Sequence, residues 1–170
     1  MPGGSLVASS MLCLACLIAP VAHADPPRFV PWKEVATPAL ALKDLAGSPR
    51  TLADFRGKVV IVNFWATWCE PCLAEMPSMQ KLQDRFPGRI AVVAVNFGES
   101  APKVSKFVER LSIRFTVLLD PNGEAPRAWR VRLLPTSYVV APDGGVRYSV
   151  LGEIDWNGDA AAKTISELLP

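Results

Sequence analysis

Two cysteines three positions apart are the residues of this sequence whose chemistry is easiest to identify. Cys69 and Cys72 enclose two residues in the run Trp68-Cys69-Glu70-Pro71-Cys72. A disulfide across two intervening residues closes too small a loop to stabilise a fold much, because it removes little entropy from the unfolded chain. The spacing therefore favours a redox-active dithiol over a structural bridge.

An apolar segment occupies the amino terminus. Leu6 to Ala22 is dominated by apolar residues, and in Ala22-His23-Ala24 small residues flank one position, as signal peptidase requires. We therefore predict export, with cleavage after Ala24. The alternative is an uncleaved membrane anchor, because the apolar run is long. The start of the segment also lacks the Lys or Arg that is usual in a signal peptide.

Cleavage at this point would leave a single domain with few options for chemistry. We expect residues 1–24 to be the signal peptide, residues 25–37 an extended lead and residues 38–170 one domain, since the chain is too short for two cores. Two of the four cysteines and the only histidine lie in the predicted signal peptide. A Ser-His-Asp triad, a Cys-His nucleophile and a Cys and His zinc site are thereby excluded. No metal site is expected.

The distribution of charge excludes another class of function. Lys and Arg total 18 and Asp and Glu total 16, and the net charge of +2 is spread along the sequence. Proteins that bind nucleic acid concentrate positive charge into a patch or stripe that follows the phosphates. Nucleic acid is therefore not an expected partner.

The two cysteines follow a predicted buried strand and begin a predicted helix. Residues 59–65 form a nearly unbroken β-branched and aromatic run, which is typical of a central strand covered on both faces. Apolar residues recur at helical spacing from Pro71 until Pro87-Gly88 ends the pattern. Cys69 is therefore expected at the helix amino terminus, where unpaired N–H groups and the helix dipole favour a thiolate.

This placement gives the two thiols different roles. Cys69 is the expected nucleophile, which attacks a substrate disulfide and forms a mixed disulfide. Cys72 lies one turn further on the same helix face, within reach of a disulfide, and is the expected resolving thiol. The same steps in reverse oxidise a dithiol, so the spacing leaves the direction of electron flow open.

The remaining elements predict a mixed sheet. Parallel strands early in the chain and a hairpin late in it favour an α/β domain with helices on the faces of one sheet. The predicted elements are a hairpin around Gly47-Ser48, a strand over residues 90–95, a helix capped by Ser100, a short strand over residues 117–119, a turn over residues 120–123 with a short helix after it, a hairpin of residues 136–140 and 146–151, and an amphipathic helix over residues 155–169.

These residues also resemble a known family. Four segments are similar to the thioredoxin superfamily and to its exported TlpA/ResA-like branch: residues 63–72, residues 51–58, Glu75-Met76-Pro77 and Leu134-Pro135-Thr136. The resemblance implies a thioredoxin fold, which the early hairpin extends at its amino-terminal side. It also implies a reductant of protein disulfides in a bacterial periplasm or other extracytoplasmic space, often in cytochrome c maturation, supplied by a membrane electron-transfer partner. No cofactor is expected beyond the Cys69–Cys72 disulfide.

The resemblance assigns roles to residues around the dithiol. It implies a cis peptide before Pro135 that exposes the backbone of Leu134, where an extended substrate can pair strand-wise. Trp68 is expected at the rim, where it shapes an apolar contact surface for the substrate. Glu70 and Pro71 are expected to tune the redox potential.

One departure from cytoplasmic thioredoxins concerns the proton of the inner cysteine. Those proteins carry a buried proton-transferring Asp where this chain has Asn63, which does not titrate. Glu75 is the candidate substitute, because burial on the Cys72 face of the helix raises a carboxyl pKa toward the range useful for proton transfer. An exposed helical position for Glu75 is the alternative. Trp65 is expected in the core, and no chemical role is assigned to Trp156.

Three other classes of function remain open. The first is a metal-handling module in which two thiolates hold a soft ion such as Cu(I), although no histidine is left to complete the site. The second is a peroxidase-like thiol enzyme on the same fold. The third is a domain with an inert structural bridge, which differs from a redox centre in how easily its disulfide is reduced.

Overall fold

Strands and helices alternate in the middle of the chain, between two groups of consecutive strands. The structure, a computed structural model, describes Met1, residues 29–34 and residues 36–170, so the predicted signal peptide and its cleavage site lie outside the described residues. The elements are β1 (Val30–Pro31), β2 (Ala41–Asp44), β3 (Pro49–Thr51), a 3-10 helix (Leu52–Phe55), β4 (Val59–Trp65), α1 (Glu70–Arg85), β5 (Ile90–Phe97), α2 (Ala101–Arg110), β6 (Thr116–Asp120), α3 (Glu124–Ala128), β7 (Thr136–Val140), β8 (Val146–Leu151) and α4 (Asp159–Ser166).

The strands form one mixed sheet in the order β1-β8-β7-β4-β5-β6-β2-β3. β4, β5 and β6 are parallel neighbours, whereas β7 pairs with β4 in the antiparallel direction. The β2–β3 hairpin joins the sheet through β6, and the late hairpin of β7 and β8 extends the other side. This is the thioredoxin-type α/β fold with an early hairpin, as predicted.

The central strand β4 divides the core into two clusters. All seven of its residues are buried, because β5 and β7 flank it and side chains cover both of its faces. Successive residues point to opposite faces of a strand. Val59, Ile61 and Trp65 accordingly join one cluster, and Val60, Val62 and Phe64 join the other.

The two clusters are built by different helices. The cluster that contains both cysteines also takes side chains from α1, α2 and α4, among them Met76, Val104 and Ile165. The opposite cluster is aromatic and receives Trp129 from the end of α3 together with Phe64 and Tyr138. Only one face of the sheet therefore contacts the dithiol.

The prediction for the carboxyl-terminal helix needs correction. The closing helix spans Asp159–Ser166, not residues 155–169, because the Asp155 side chain accepts the Asn157 N–H at 3.0 Å and its carbonyl accepts the Gly158 N–H at 3.1 Å. These bonds make a turn before the helix begins. The extended lead also contributes β1, which pairs with β8 at the sheet edge.

Candidate active site

The cysteines lie where the central strand passes into the first helix. β4 ends at Trp65, and the Cys69 N–H donates to the Ala66 carbonyl at 3.2 Å in the turn that follows. Cys69 is the N-cap residue of α1, and its carbonyl accepts the Leu73 N–H at 3.2 Å. The Cys69 sulfur is thus carried at the positive end of the α1 dipole.

The structure brings the two cysteines together as a disulfide with a Cα–Cα distance of 5.3 Å. Cys69 is 5% exposed and Cys72 is fully buried. Glu70 and Pro71 occupy the first two positions of α1 on the exposed side. The pair therefore presents one sulfur toward the surface and keeps the other inside.

Glu75 is buried on the helix face of Cys72 and is surrounded by hydrogen-bond donors. Asn63 Nδ2 donates to its Oε1 at 2.7 Å, and the Trp156 indole Nε1 donates to its Oε2 at 3.0 Å. The Ile154 N–H approaches Oε2 at 3.5 Å. Glu75 is 1% exposed, so the alternative of an exposed helical residue is wrong.

The ionisation of Glu75 reflects two opposing effects. Burial raises the pKa of its carboxyl from the ordinary 4.5 to about 7, against the lowering effect of the bonds from Trp156, Asn63 and Ile154. The nearby Glu153 charge raises the pKa further. A carboxyl group with this pKa can accept and return a proton near neutral pH.

Trp156 is a contact that sequence reasoning missed. It is fully buried, and its backbone N–H donates to Ser78 Oγ at 3.0 Å while its indole bonds to Glu75. Trp156 and Glu75 are 81 positions apart, and no local pattern connects them.

Trp68 lies beside an apolar groove at the rim of the site. It is 66% exposed, and with Leu134 it lines a groove of about 240 Å³ to which Phe97 and Leu133 also contribute. Sequence reasoning placed Trp68 at the rim but missed Phe97 and Leu133. Trp65, by contrast, is fully buried, as predicted.

The Leu134–Pro135 peptide is cis, as the resemblance implied. The pairing of Thr136 with Phe64 brings this peptide beside the end of β4. Among the described residues, neither backbone polar group of Leu134 takes part in a backbone hydrogen bond. The Leu134 N–H and C=O are therefore available to an extended chain.

Glu99 holds the turn before Cys69. Sequence reasoning did not identify this residue. Its carboxylate accepts from the Thr67 N–H and hydroxyl, both at 2.6 Å, from Asn96 Nδ2 at 2.9 Å and from Lys103 Nζ at 2.6 Å. Burial opposes its ionisation, but these bonds outweigh burial and lower its pKa to about 2. Its position directly after β5 was the available signal, since carboxyl ends of parallel strands share one sheet edge.

Within residues 29–34 and 36–170, no three His, Cys, Asp or Glu side chains form a group that could hold a metal ion. The turn at Asp120 caps α3, since its carboxylate accepts the Glu124 and Ala125 N–H groups at 3.2 and 2.9 Å. No helix in that part of the chain is long and apolar enough to cross a membrane.

The thioredoxin-fold thiol–disulfide oxidoreductases are the class that this fold and this dithiol define. A sulfur at a helix amino terminus, with a second sulfur one turn away, can exchange with disulfides or dithiols of other proteins. The model of the AhpC/TSA family matches residues 34–149, and the chain belongs to that family.

Individual relatives agree with this assignment. The thiol-disulfide oxidoreductase ResA of Geobacillus kaustophilus is 38% identical over 116 residues, which are 68% of this chain and 67% of the relative. The thioredoxin-like protein YneN of Bacillus subtilis is 40% identical over 113 residues, 65% of this chain and 66% of the relative. The matched segment thus spans about two thirds of each curated relative.

A solved structure matches more of the fold. The crystal structure of a protein named as thiol:disulfide interchange protein DsbE, from Chlorobium tepidum, has a TM-score of 0.71 and 32% identity. The match covers 77% of this chain and 93% of that one. The sheet and the helices that position the dithiol are therefore shared.

Proposed function

We propose that the protein is an extracytoplasmic reductase of protein disulfides, acting as in cytochrome c maturation or in the assembly of metal sites. The observation that carries the proposal is the Cys69–Cys72 pair at the amino terminus of α1 with Glu75 buried on the same helix face. The names of the relatives, ResA and DsbE, support a thiol–disulfide exchange activity. The apolar residues 6–22 and the cleavage signal at Ala24 support export to the periplasm or an equivalent space.

The first step uses the reduced protein. The Cys69 thiolate attacks one sulfur of a substrate disulfide, the substrate S–S bond breaks, and a mixed disulfide to Cys69 forms. The released substrate sulfur leaves as a thiolate and takes a proton from water. The amino terminus of α1 stabilises the attacking thiolate.

The second step uses the inner cysteine. The Cys72 thiol gives its proton to the Glu75 carboxylate, and the resulting thiolate attacks the Cys69 sulfur. The Cys69–Cys72 bond forms as the mixed disulfide breaks, and the second substrate thiolate leaves and is protonated. Overall the substrate disulfide gains two electrons and the Cys69–Cys72 dithiol loses them.

Substrate binding is assigned to the groove beside the dithiol. The exposed Trp68 ring and the Leu134 side chain supply apolar contacts, and the free Leu134 backbone groups beside Pro135 pair with an extended segment of substrate. Such pairing recognises backbone more than sequence. It suits unfolded or locally extended protein substrates that expose cysteines.

The oxidised protein must then be reduced again. In an oxidising compartment the two electrons come from a membrane electron-transfer partner, which attacks the Cys69–Cys72 disulfide through its own thiol. An uncleaved amino-terminal segment would tether the protein at the membrane beside that partner.

The proposal is tested by the equilibrium redox potential of the dithiol, followed by Trp68 fluorescence in graded thiol–disulfide buffers. We expect a value near that of thioredoxin, about −270 mV. A value near the strong oxidants, about −120 mV, would reverse the direction and make the protein a disulfide donor.

A trapping experiment complements the potential. Cys72→Ser is expected to accumulate a mixed disulfide through Cys69, whereas Cys69→Ser should form none through Cys72, because Cys69 is the more exposed of the two cysteines that the structure describes. Peroxide consumption serves as a control. Turnover of peroxide with no reduction of a protein disulfide would favour the thiol peroxidase alternative.

A further inference from the structure

We propose that Trp156 is a positioning residue for the thiol exchange, whose indole N–H holds the Glu75 carboxylate and thereby sets the pH range over which Cys72 is activated. The role rests on Glu75 accepting the Cys72 proton, as proposed above. Trp156 itself contacts neither the substrate nor the sulfur atoms in this scheme.

The placement of the Trp156 ring is fixed from several sides. Its backbone N–H donates to Ser78 Oγ at 3.0 Å, and that hydroxyl donates to the Glu75 carbonyl at 2.7 Å. The Phe29 ring packs edge-on against the indole at 6.0 Å between centroids. Trp156 is fully buried, so its N–H is aimed at Glu75 by packing and does not exchange this partner for water.

The carboxylate is held between two neutral donors on opposite elements. Trp156 Nε1 binds Oε2 from the turn before α4, and Asn63 Nδ2 binds Oε1 from β4. Asn63 Nδ2 also donates to Ser137 Oγ on β7 at 2.9 Å. With both oxygens engaged, the carboxyl group keeps one orientation on the Cys72 face of α1.

The hydrogen-bond donors around Glu75 are the groups that stabilise its charged form. Besides the donors from Asn63, Trp156 and Ile154, the charged neighbour is the exposed Glu153 carboxylate after β8, which disfavours a second negative charge. Among the described residues no cation pairs with Glu75. A donated N–H is therefore the main stabilisation available to the charged form.

Loss of the Trp156 indole N–H changes the pKa of Glu75 in one direction. An indole N–H stabilises the carboxylate more than the neutral acid, so its removal raises the pKa of Glu75 above about 7. A smaller fraction of Glu75 then accepts the Cys72 proton at neutral pH. We expect Trp156→Phe to move the pH midpoint of Cys72 attack upward by about one unit, a tenfold change in the ionisation equilibrium, because a bond to a charged group has about that strength.

The step is measured in stopped flow with a chromogenic aromatic disulfide and the reduced full-length protein, in which Cys13→Ser and Cys16→Ser leave Cys69 and Cys72 as the two thiols. Attack by Cys69 releases the first equivalent of coloured thiolate, and attack by Cys72 releases the second. The rate of the second phase is recorded across pH for the wild type, Trp156→Phe, Glu75→Gln and Trp129→Phe. Trp129 is an equally buried control, whose indole donates to the Ala39 carbonyl at 3.2 Å in the other core cluster.

The expected outcome is an inflection in the wild type that Glu75→Gln abolishes, that Trp156→Phe moves upward and that Trp129→Phe leaves in place. The alkaline plateau of Trp156→Phe should stay within about twofold of the wild type, since a general loss of structure would lower the whole profile. An unmoved midpoint in Trp156→Phe, with Glu75→Gln still abolishing the inflection, would refute the role of Trp156 alone. Equal profiles in the wild type and Glu75→Gln would refute the role of Glu75, and that of Trp156 with it.

A second measurement covers the case in which Trp156→Phe does not fold. In the unaltered protein, the indole N–H resonance of Trp156 should titrate with the midpoint of the rate profile, while that of Trp129 stays constant. A Trp156 resonance that is insensitive to pH through this range would contradict the proposal without any substitution at that position.

Discussion

At the scale of single residues, Glu75 combines a charge with complete burial. Its pKa of about 7 in the fold exceeds the ordinary 4.5 because burial disfavours the carboxylate. The folded state therefore binds the proton more tightly than the unfolded state. This contribution to stability is complete below pH 4.5 and is lost as the pH rises through about 7.

We predict that Glu75→Gln removes this pH dependence. Between pH 4.5 and pH 8 the wild type should lose roughly 3 kcal/mol of unfolding free energy through this group, and the variant should not. Asn63 Oδ1 has no hydrogen-bond partner among the described residues and can turn to accept from the new amide, so the substitution is compatible with the site. Urea unfolding of the oxidised proteins at pH 5 and pH 8 measures the difference. Glu70→Gln, an exposed change on the same helix, is the control. If the unfolding free energy of Glu75→Gln depends on pH as much as that of the wild type, Glu75 is not the origin of the dependence.

The residues near Glu75 show how far sequence reasoning extends. Its burial on the Cys72 face follows from helical spacing, which is a local property. The contact with Trp156 does not, because it depends on how the turn at Asp155 places the chain after β8 against α1. Patterns of spacing report which face a residue occupies and carry no information on distant partners.

At the scale of elements, Glu99 joins the turn that follows β4 to the segment that follows β5. Its pKa of about 2 lies below the ordinary 4.5, so its stabilisation is complete above pH 4.5 and is lost as the pH falls through about 2. We predict that Glu99→Gln lowers the unfolding free energy by roughly 2 kcal/mol at pH 7, because bonds to a charged carboxylate are lost. The difference in unfolding free energy between the wild type and Glu99→Gln should become smaller toward pH 3.

Denaturant unfolding at the two pH values tests this prediction. Glu109→Gln, on the exposed side of α2, provides the matched control. The anisotropy of Trp68 fluorescence should also fall in Glu99→Gln, since Thr67 loses its anchor. If Glu99→Gln loses the same unfolding free energy at both pH values, the loss comes from packing and not from the charge of Glu99.

Elements with strong local patterns were predicted well, whereas the bounds of the closing helix were not. The buried run of β4 and the periodicity of α1 are visible in the sequence, and both elements lie where expected. The start of α4 was placed four residues too early, because Asp155 uses its side chain to make a turn that competes with the helix.

At the scale of the whole molecule, stability and redox chemistry are partly separable. Leu40 is 4% exposed and belongs to the cluster on the face away from the cysteines. We predict that Leu40→Ala lowers the unfolding free energy by about 2–5 kcal/mol, as buried leucines generally do, and leaves the dithiol potential unchanged. Leu151→Ala, at 56% exposure, should change stability by less than about 0.5 kcal/mol.

Chemical unfolding and redox titration of the two variants provide the test. A shifted potential in Leu40→Ala at temperatures where the variant is folded would show that the two faces of the sheet are coupled. The thioredoxin fold was predicted through the family resemblance, and no strand order was predicted from the sequence. Local patterns alone indicated a mixed sheet, but the position of β7 beside β4 depends on pairing between distant segments.

The two-sided core has a consequence for how such a protein can diverge. Substitutions at Val60, Val62 and Phe64 must fit the packing of a cluster that contains neither cysteine, whereas substitutions at Ile61 and Trp65 must also suit the thiols. A lineage can therefore rebuild the face away from the cysteines by compensating changes while its chemistry stays constant. Engineering of a more stable oxidoreductase should begin with substitutions on that face of the sheet.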